Sequence, residues 1–234
     1  TGQSDGEELI RAVEQTLERF GRVDVLVNSP GVSLLGAVEN IPSEDWQWVL
    51  DVNLMGFVRA CRAFLPHMIE RRCGHILNVA SVAGLYAYSY DAIPYITSKF
   101  GCAGFTEGLA VYGRPRGIGV SLLCPGLVQT NLHENARFVG VPDPGAFLHF
   151  PEHLRRPIGP DEVGRVACEG TESALPAAHA PRGRGGAAPS ARGQRRRDRR
   201  AGAHEPRPVR GALPELTAAA RSRATTSLAS GCPA

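Results

Sequence analysis

Lysine is almost missing from this 234-residue chain: Lys99 is the only one among 26 lysines and arginines. Long apolar runs are missing too. No stretch of about 18 apolar residues occurs, which excludes an obvious membrane-spanning helix, and no signal peptide is recognisable. A cytoplasmic location and no membrane partner are therefore expected. Cys61, Cys73, Cys102, Cys124, Cys168 and Cys232 include no C-x-x-C pair. They read as reduced thiols, neither a disulfide framework nor a zinc site. Seven histidines are scattered without ligand spacing, so no metal is expected.

Acidic and aromatic residues are scarce at the far end. Segment 174–234 holds 12 arginines and 3 acids, so it carries +9 where the whole chain carries +3, and the remainder is −6. From about Cys168 onward the texture turns to Ala, Pro, Gly and Arg, with Arg195-Arg-Arg-Asp-Arg-Arg200 at its centre. Such a segment buries too little apolar surface to offset chain entropy, so it reads as a disordered basic tail. Ala, Pro, Gly and Arg all have GC-rich codons, so an out-of-frame translation of a GC-rich gene is the expected explanation, with a genuine disordered extension as the alternative. A basic stretch without interleaved aromatics or a binding module is not expected to take nucleic acid as a partner. The chain is therefore divided into a partial domain over 1–167 and a tail over 168–234.

The lone lysine stands four residues after Tyr95, in Tyr-Ile-Thr-Ser-Lys. Residues at i and i+4 share a helix face, so phenol and ammonium can act together. A phenol titrates near pH ~10, and an adjacent positive charge favours the phenolate. Lysine suits that task as a compact point charge, where guanidinium is a wide fork. Tyr86, Tyr88 and Tyr90 are followed at i+4 by Tyr90, Ala92 and Pro94, so Tyr95 alone has the partner.

Order along the chain gives this pair a setting. Arg22-Val-Asp-Val-Leu-Val27 reads as a buried strand that closes on Asn28-Ser29-Pro30-Gly31. Pro42-Ser-Glu-Asp opens a helix running through Trp46, Val49, Leu50 and Asn53 toward Met68. His75-Ile-Leu-Asn-Val-Ala80 is a second strand, ending at Ser81 and a loop through Gly84. After the Tyr95 helix, Ile118-Gly-Val-Ser-Leu-Leu-Cys124 is a third strand, followed by Pro125-Gly126, Val128 and Thr130. Strands alternating with helices predict an α/β fold with a parallel sheet, and ligands bind such sheets beyond the carboxyl ends of the strands.

In this arrangement the chain resembles the short-chain dehydrogenase/reductase family from about residue 8 to about residue 166. The family's Asn-Asn-Ala-Gly appears as Asn28 to Gly31, with Ser29 and Pro30 as departures. Its helix asparagine is Asn53, its serine Ser81, its Tyr-x-x-x-Lys Tyr95 and Lys99, and its Pro-Gly-x-Val-x-Thr Pro125 to Thr130. The resemblance implies hydride transfer between NAD or NADP and an alcohol or carbonyl substrate. Tyr95 would be the general acid/base and Ser81 would hold the same oxygen. Lys99 would lower the Tyr95 pKa and bind the nicotinamide ribose, and Asn53 would hold a water completing a proton relay. Asn28, Gly31, Tyr95, Lys99, Pro125, Gly126, Val128 and Thr130 would bind the cofactor. On the residues alone, Asn53 bonding locally to backbone, Ser81 ending its strand and Thr130 capping a turn remain open.

Thr1-Gly-Gln-Ser-Asp-Gly6 imitates the family's glycine loop, but no strand precedes it and Glu8 stands where a glycine belongs. A phosphate loop needs its strand and helix. Residues 4–20 read instead as an amphipathic helix with Leu9, Ile10, Val13 and Leu17 on its apolar face. The expectation is an incomplete Rossmann-type doubly wound sheet, its C-terminal part only, with the Val23 strand at an edge and weak cofactor binding by this chain alone. Residues 131–157 fall at the family's substrate lid, where Phe138, Val139, Phe147, Leu148 and Phe150 suggest a hydrophobic alcohol or ketone, or merely pack the lid. By the same likeness the Pro42–Met68 and Tyr95 helices would form a homodimer or homotetramer, with Phe57, Phe64, Phe100 and Phe105 supplying apolar surface. An inactive remnant, or a binding protein without catalysis on the same scaffold, is the alternative.

Overall fold

The structure, a computed structural model, describes residues 2–141 and 156–174. The tail beyond 174 and Phe147, Leu148 and Phe150 lie outside the described residues. Three parallel strands, β1 (Val25–Asn28), β3 (Gly74–Val79) and β4 (Ile118–Leu123), form one sheet in the order β1-β3-β4. Val25 pairs with His75, and Gly74 with Ile118.

Side chains alternate across a strand, and the two faces meet different helices. One face turns Leu26, Ile76, Ile118 and Val120 onto Leu17, Cys61, Phe64, Met68, Phe105 and Leu109. Those partners come from α1 (Gly2–Phe20), α3 (Gly56–Arg71) and α4 (Ile93–Gly113). The other face, with Val27, Val79 and Leu123, looks onto a cavity that Val163, Gly164 and Ala167 of α5 (Pro160–Ala174) close from the far side. Helices therefore cover both faces of a parallel sheet, as the expected Rossmann-type α/β class requires. Among the described residues β1 is an edge strand, with Val27 54% exposed.

Local differences from expectation have identifiable causes. Residues 2–6 of the glycine-loop imitation lie inside α1. Val13 is buried and Leu17 packs on the core, but Ile10 is exposed. The contacting stripe follows i, i+4, i+8 through Leu9, Val13 and Leu17, and Ile10 falls beside it. The long helix from Pro42 is not continuous: α2 (Ser43–Leu50) and α3 are joined by a π-helical turn at Asp51–Met55. Strand β1 starts at Val25 rather than Arg22, and Arg22 and Asp24 pair with each other at 3.1 Å ahead of it.

A second, two-stranded parallel sheet was not anticipated: β2 (Leu34–Gly36) pairs with β5 (Arg137–Val139). Three-residue strands are too short for periodicity to reveal. Of the expected interface phenylalanines, Phe57 is fully buried and Phe64 and Phe105 pack on the molecule's own core, which leaves Phe100 exposed. Cys61, Cys102, Cys124 and Cys168 are free thiols, whereas Cys73 is disulfide-bonded. Six reduced thiols were expected, but a disulfide need not follow C-x-x-C spacing, so this one left no signature in the sequence. No helix of the described residues is long and apolar enough to cross a membrane.

Candidate active site

Strand β3 delivers Ser81 to the cavity. The chain leaves the strand at Ala80, and the Ser81 Oγ accepts the Ala83 amide at 3.2 Å to start a short 3₁₀ turn, Val82–Gly84. That turn lies directly on α4: a Cβ at Gly84 would stand 2.6 Å from the Lys99 carbonyl oxygen. Only glycine permits this approach. Pro94 opens α4 without a lost hydrogen bond, and Tyr95 and Lys99 follow on its buried face. The Ser81 side chain is close enough to the Tyr95 phenol to lower its pKa.

Lys99 is 3% exposed, and its Nζ makes one hydrogen bond, at 3.4 Å, to the Pro30 carbonyl. The Nζ lies 5.7 Å from the Tyr95 ring centre and 5.8 Å from that of Phe57. No carboxylate of the described residues pairs with it. Burial pushes the Lys99 pKa down, against the pull of the Cys102 and Cys124 thiols. Burial likewise pushes the Tyr95 phenol up, opposed by the Ser81 hydrogen bond and reinforced by Cys102. The expected lowering of the phenol by Lys99 is thus not what the protein's own groups produce. Desolvation is the largest influence on the phenol, and the Lys99 Nζ donates instead to the Pro30 carbonyl.

A cavity of about 960 Å³ opens at these side chains. Ser81, Tyr95 and Lys99 line one wall; Ser29, Pro30 and Gly31 a second; Pro125, Gly126, Val128 and Thr130 a third. Thr130 is exposed, and its Oγ1 also accepts the Leu132 amide at 3.4 Å, so it caps a turn while facing the cavity.

Asn28 and Asn53 are not among the lining residues. Asn28 is the last residue of β1, and its side chain points into the helix-covered face. There Nδ2 donates to Asn78 Oδ1 at 2.8 Å, and Asn78 Nδ2 donates to Thr106 Oγ1 at 3.0 Å. Its side chain is thus engaged within the sheet, while the residues that follow it reach the cavity. Asn53, fully buried in the π-helical turn, accepts the Val32 amide at 2.8 Å. It donates to the Val32 carbonyl and to Ser98 Oγ, both at 2.9 Å. Both of its N–H donors are committed. Its own carbonyl accepts the Cys102 thiol at 3.0 Å.

Asn78 and Ser98 were missed by the sequence reading. Asn78 carried a signal, a lone amide inside an apolar strand, since buried amides are normally bonded to something specific. Ser98 sits between Tyr95 and Lys99, and its Oγ donates to the Tyr95 carbonyl at 2.7 Å while accepting from Asn53.

The family model described as short chain dehydrogenase matches residues 3–138. Over 140 residues the chain is 42% identical to the CLA biosynthesis dehydrogenase/reductase of Lactiplantibacillus plantarum, covering 57% of this chain and 48% of that protein. It is 37% identical over 160 residues to oxidoreductase UcpA of Salmonella typhimurium, covering 67% of this chain and 61% of that one. The chain thus spans about half to three fifths of the length of these curated relatives. A short-chain dehydrogenase from Streptomyces avermitilis superposes with a TM-score of 0.62 at 29% identity, over 70% of this chain and 62% of that one. The structure of ElxO with NADP bound superposes with a TM-score of 0.52 at 31% identity, over 56% of this chain and 53% of that one. The serine–tyrosine–lysine wall thus belongs to a chain that matches in sequence and in fold, and this chain is a member of the short-chain dehydrogenase family.

Proposed function

We propose that this chain carries the acid/base site of an NAD- or NADP-dependent oxidoreductase acting on an alcohol or carbonyl. The observation that supports it most is the buried Ser81–Tyr95 pair beside an ammonium with a single long hydrogen bond, all on one wall of the cavity. Such an ammonium calls for hydroxyl or carbonyl oxygens that the protein does not supply. A ribose diol fits that requirement. Gly31 leaves room for it, since even a Cβ there would lie only 3.6 Å from Nζ. Lys99 and Tyr95 would hold the ribose, and Gly126, Val128 and Thr130 the carboxamide and phosphate side. ElxO, solved with NADP bound, shares the fold and supports a nicotinamide cofactor.

A bound nicotinamide supplies or takes up the hydride. Tyr95 gives its phenolic proton to the carbonyl oxygen in reduction, or receives the hydroxyl proton in oxidation. Ser81 donates a hydrogen bond to the same oxygen as charge develops there. Lys99 stabilises the phenolate left behind, once cofactor hydroxyls relieve its own desolvation. Asn53 and Ser98 fix the loop at Val32 and the backbone of Tyr95, which sets the distance between the two cavity walls. A water held near Asn53 would use its backbone, because its side-chain donors are occupied. Exposed Phe100, Val111 and Tyr112 on α4 offer an apolar strip for a homodimer or homotetramer.

The test is oxidation of NADH and NADPH with a panel of carbonyl compounds. Tyr95→Phe keeps the fold and lowers kcat by at least about a hundredfold. Turnover undiminished in Tyr95→Phe would reject the assignment, and no turnover by the parent chain would favour a remnant or a binding protein.

A further inference from the structure

The segment between Ser81 and Tyr95 carries a carboxylate that the acid/base reading leaves unused. Asp91 is 2% exposed, and no arginine or lysine of the described residues pairs with it. Its Oδ1 accepts the Ser89 hydroxyl, and its Oδ2 has no hydrogen-bond partner among the described residues. The Asp91 carbonyl accepts the Gly36 amide of β2 at 2.8 Å, and the next carbonyl, of Ala92, accepts the Ile96 amide in the first turn of α4 at 2.9 Å. Asp91 is thereby fixed between β2 and α4. A carboxylate buried to this degree needs a donor, and Ser89 is the one that the described residues supply. Ser89 lines the cavity together with Ser81 and Tyr95. Its neighbours Tyr88 and Ala92 pack in one cluster with Tyr95, so Ser89 belongs to the part of the wall around the phenol.

A serine hydroxyl holds one proton and two lone pairs. Ser89 gives its proton to Asp91, so toward a ligand it can only accept. Donation to a charged group polarises the hydroxyl and makes its oxygen the better acceptor. Gln129, Asn131, His133 and Asn135 also line the cavity. Their amide and imidazole groups offer donors as well as acceptors and so do not choose between the two. We propose that Ser89, oriented by Asp91, is a specificity-determining residue: it accepts a hydrogen bond from a hydroxyl or N–H group on the substrate. The site then favours a hydroxylated carbonyl compound over an analogue of equal size that has no such donor. The analogue leaves the Ser89 lone pairs unmatched, which a site built around a hydrogen bond penalises. This deepens the hydride-transfer reading and rests on it for the reaction, but the preference is measurable as binding alone.

The experiment is a saturation-transfer NMR titration of the chain with meta- and para-hydroxyacetophenone and with their fluoro counterparts, in which fluorine has nearly the size of a hydroxyl but no proton to give. At least one hydroxyl compound should bind about tenfold more tightly than its fluoro counterpart. Ser89→Ala should bring that ratio to within about twofold of unity. The side chain of Asp91→Asn can give Ser89 a proton as well as take one, so the ratio should shrink at least about threefold. A merely structural role for Asp91 would weaken both ligands alike and leave the ratio where it was. Circular dichroism confirms that each variant is folded; should Asp91→Asn not fold, Ser89→Ala decides. Equal or tighter binding of both fluoro compounds, binding of none of the four, or a ratio unchanged in either folded variant would each overturn the proposal. Turnover separates the two readings. Hydroxyl preference without oxidation of NADH or NADPH keeps the Ser89 assignment and removes the hydride-transfer reading, whereas turnover of hydroxyl and fluoro compounds at equal kcat/KM does the reverse.

Discussion

His75 on β3 is 1% exposed, and its Nε2 shares a 3.0 Å hydrogen bond with Ser121 Oγ, while Nδ1 has no partner. Burial pushes its pKa down to about 4, from an ordinary value near ~6.5. The native state therefore holds the neutral ring. Above pH ~6.5 both folded and unfolded chains are neutral there, and the stability from this group is fully present. Below it the unfolded chain takes up a proton that the native one refuses, and that stability is lost as the pH falls toward the folded value. Between pH 7.5 and pH 5 the loss should be about 2 kcal/mol. Urea unfolding at the two pH values measures it, and His75→Asn should remove this part of the drop. An equal drop in the variant would assign it to other groups.

Single residues were legible in the sequence where chemistry demanded a fixed spacing. Tyr95 and Lys99 could be found because one helical turn separates them, and Ser81 because it ends a strand of recognisable length. The direction of Asn28 was not legible. An uninterrupted apolar run such as Val25-Leu-Val27 lacks the alternation that tells the two faces of a strand apart, so which face its last residue joins is settled only by pairing with β3.

At the scale of elements, the π-helical turn between α2 and α3 is the joint on which the site depends. The Asn53 side chain makes three hydrogen bonds from within it, two to Val32 and one to Ser98, and π turns recur at functional positions. Asn53→Ala leaves both Val32 groups and the Ser98 hydroxyl without that partner inside the protein. The expected cost is about 3 kcal/mol, read as a lower urea midpoint at unchanged m-value. An unchanged midpoint would mean that the loop re-pairs without Asn53. A continuous helix was the natural reading of residues 42–68, because the pattern of apolar positions shifts too little over one inserted residue to expose a π turn.

The cavity wall has its own fastening. Arg137 opens β5, donates to Asp45 Oδ1 at 2.6 Å, and lays its guanidinium 3.7 Å above the Trp48 ring. Both contacts tie β5 to α2. The arginine side chain is 49% exposed, so solvent screening reduces the ion pair and the aromatic contact adds a similar share. Arg137→Ala should cost about 1 kcal/mol. In a Trp46→Phe background it should also change the emission of Trp48. Unaltered emission would show that the stacking does not persist in solution.

For the whole molecule, the sequence revealed the parallel α/β arrangement through the alternation of strand and helix patterns. The β2–β5 sheet left no comparable trace, since it joins two three-residue segments about a hundred positions apart. Leu35 and Phe138 could therefore be read as apolar, but not as lining one cavity.

The strand order β1-β3-β4 is also the order in which a ribosome delivers the strands. Each new strand finds its template already synthesised, so the sheet can grow as the chain emerges. The pairing of Leu35 with Phe138 closes a much longer loop and must wait until the polypeptide has passed residue 139. Pulse-labelled hydrogen exchange during refolding should accordingly protect Ile76 and Val120 before Phe138; the reverse sequence of protection would contradict this. The acid/base wall is then assembled on an early framework, and the β2–β5 pairing is added to it afterwards.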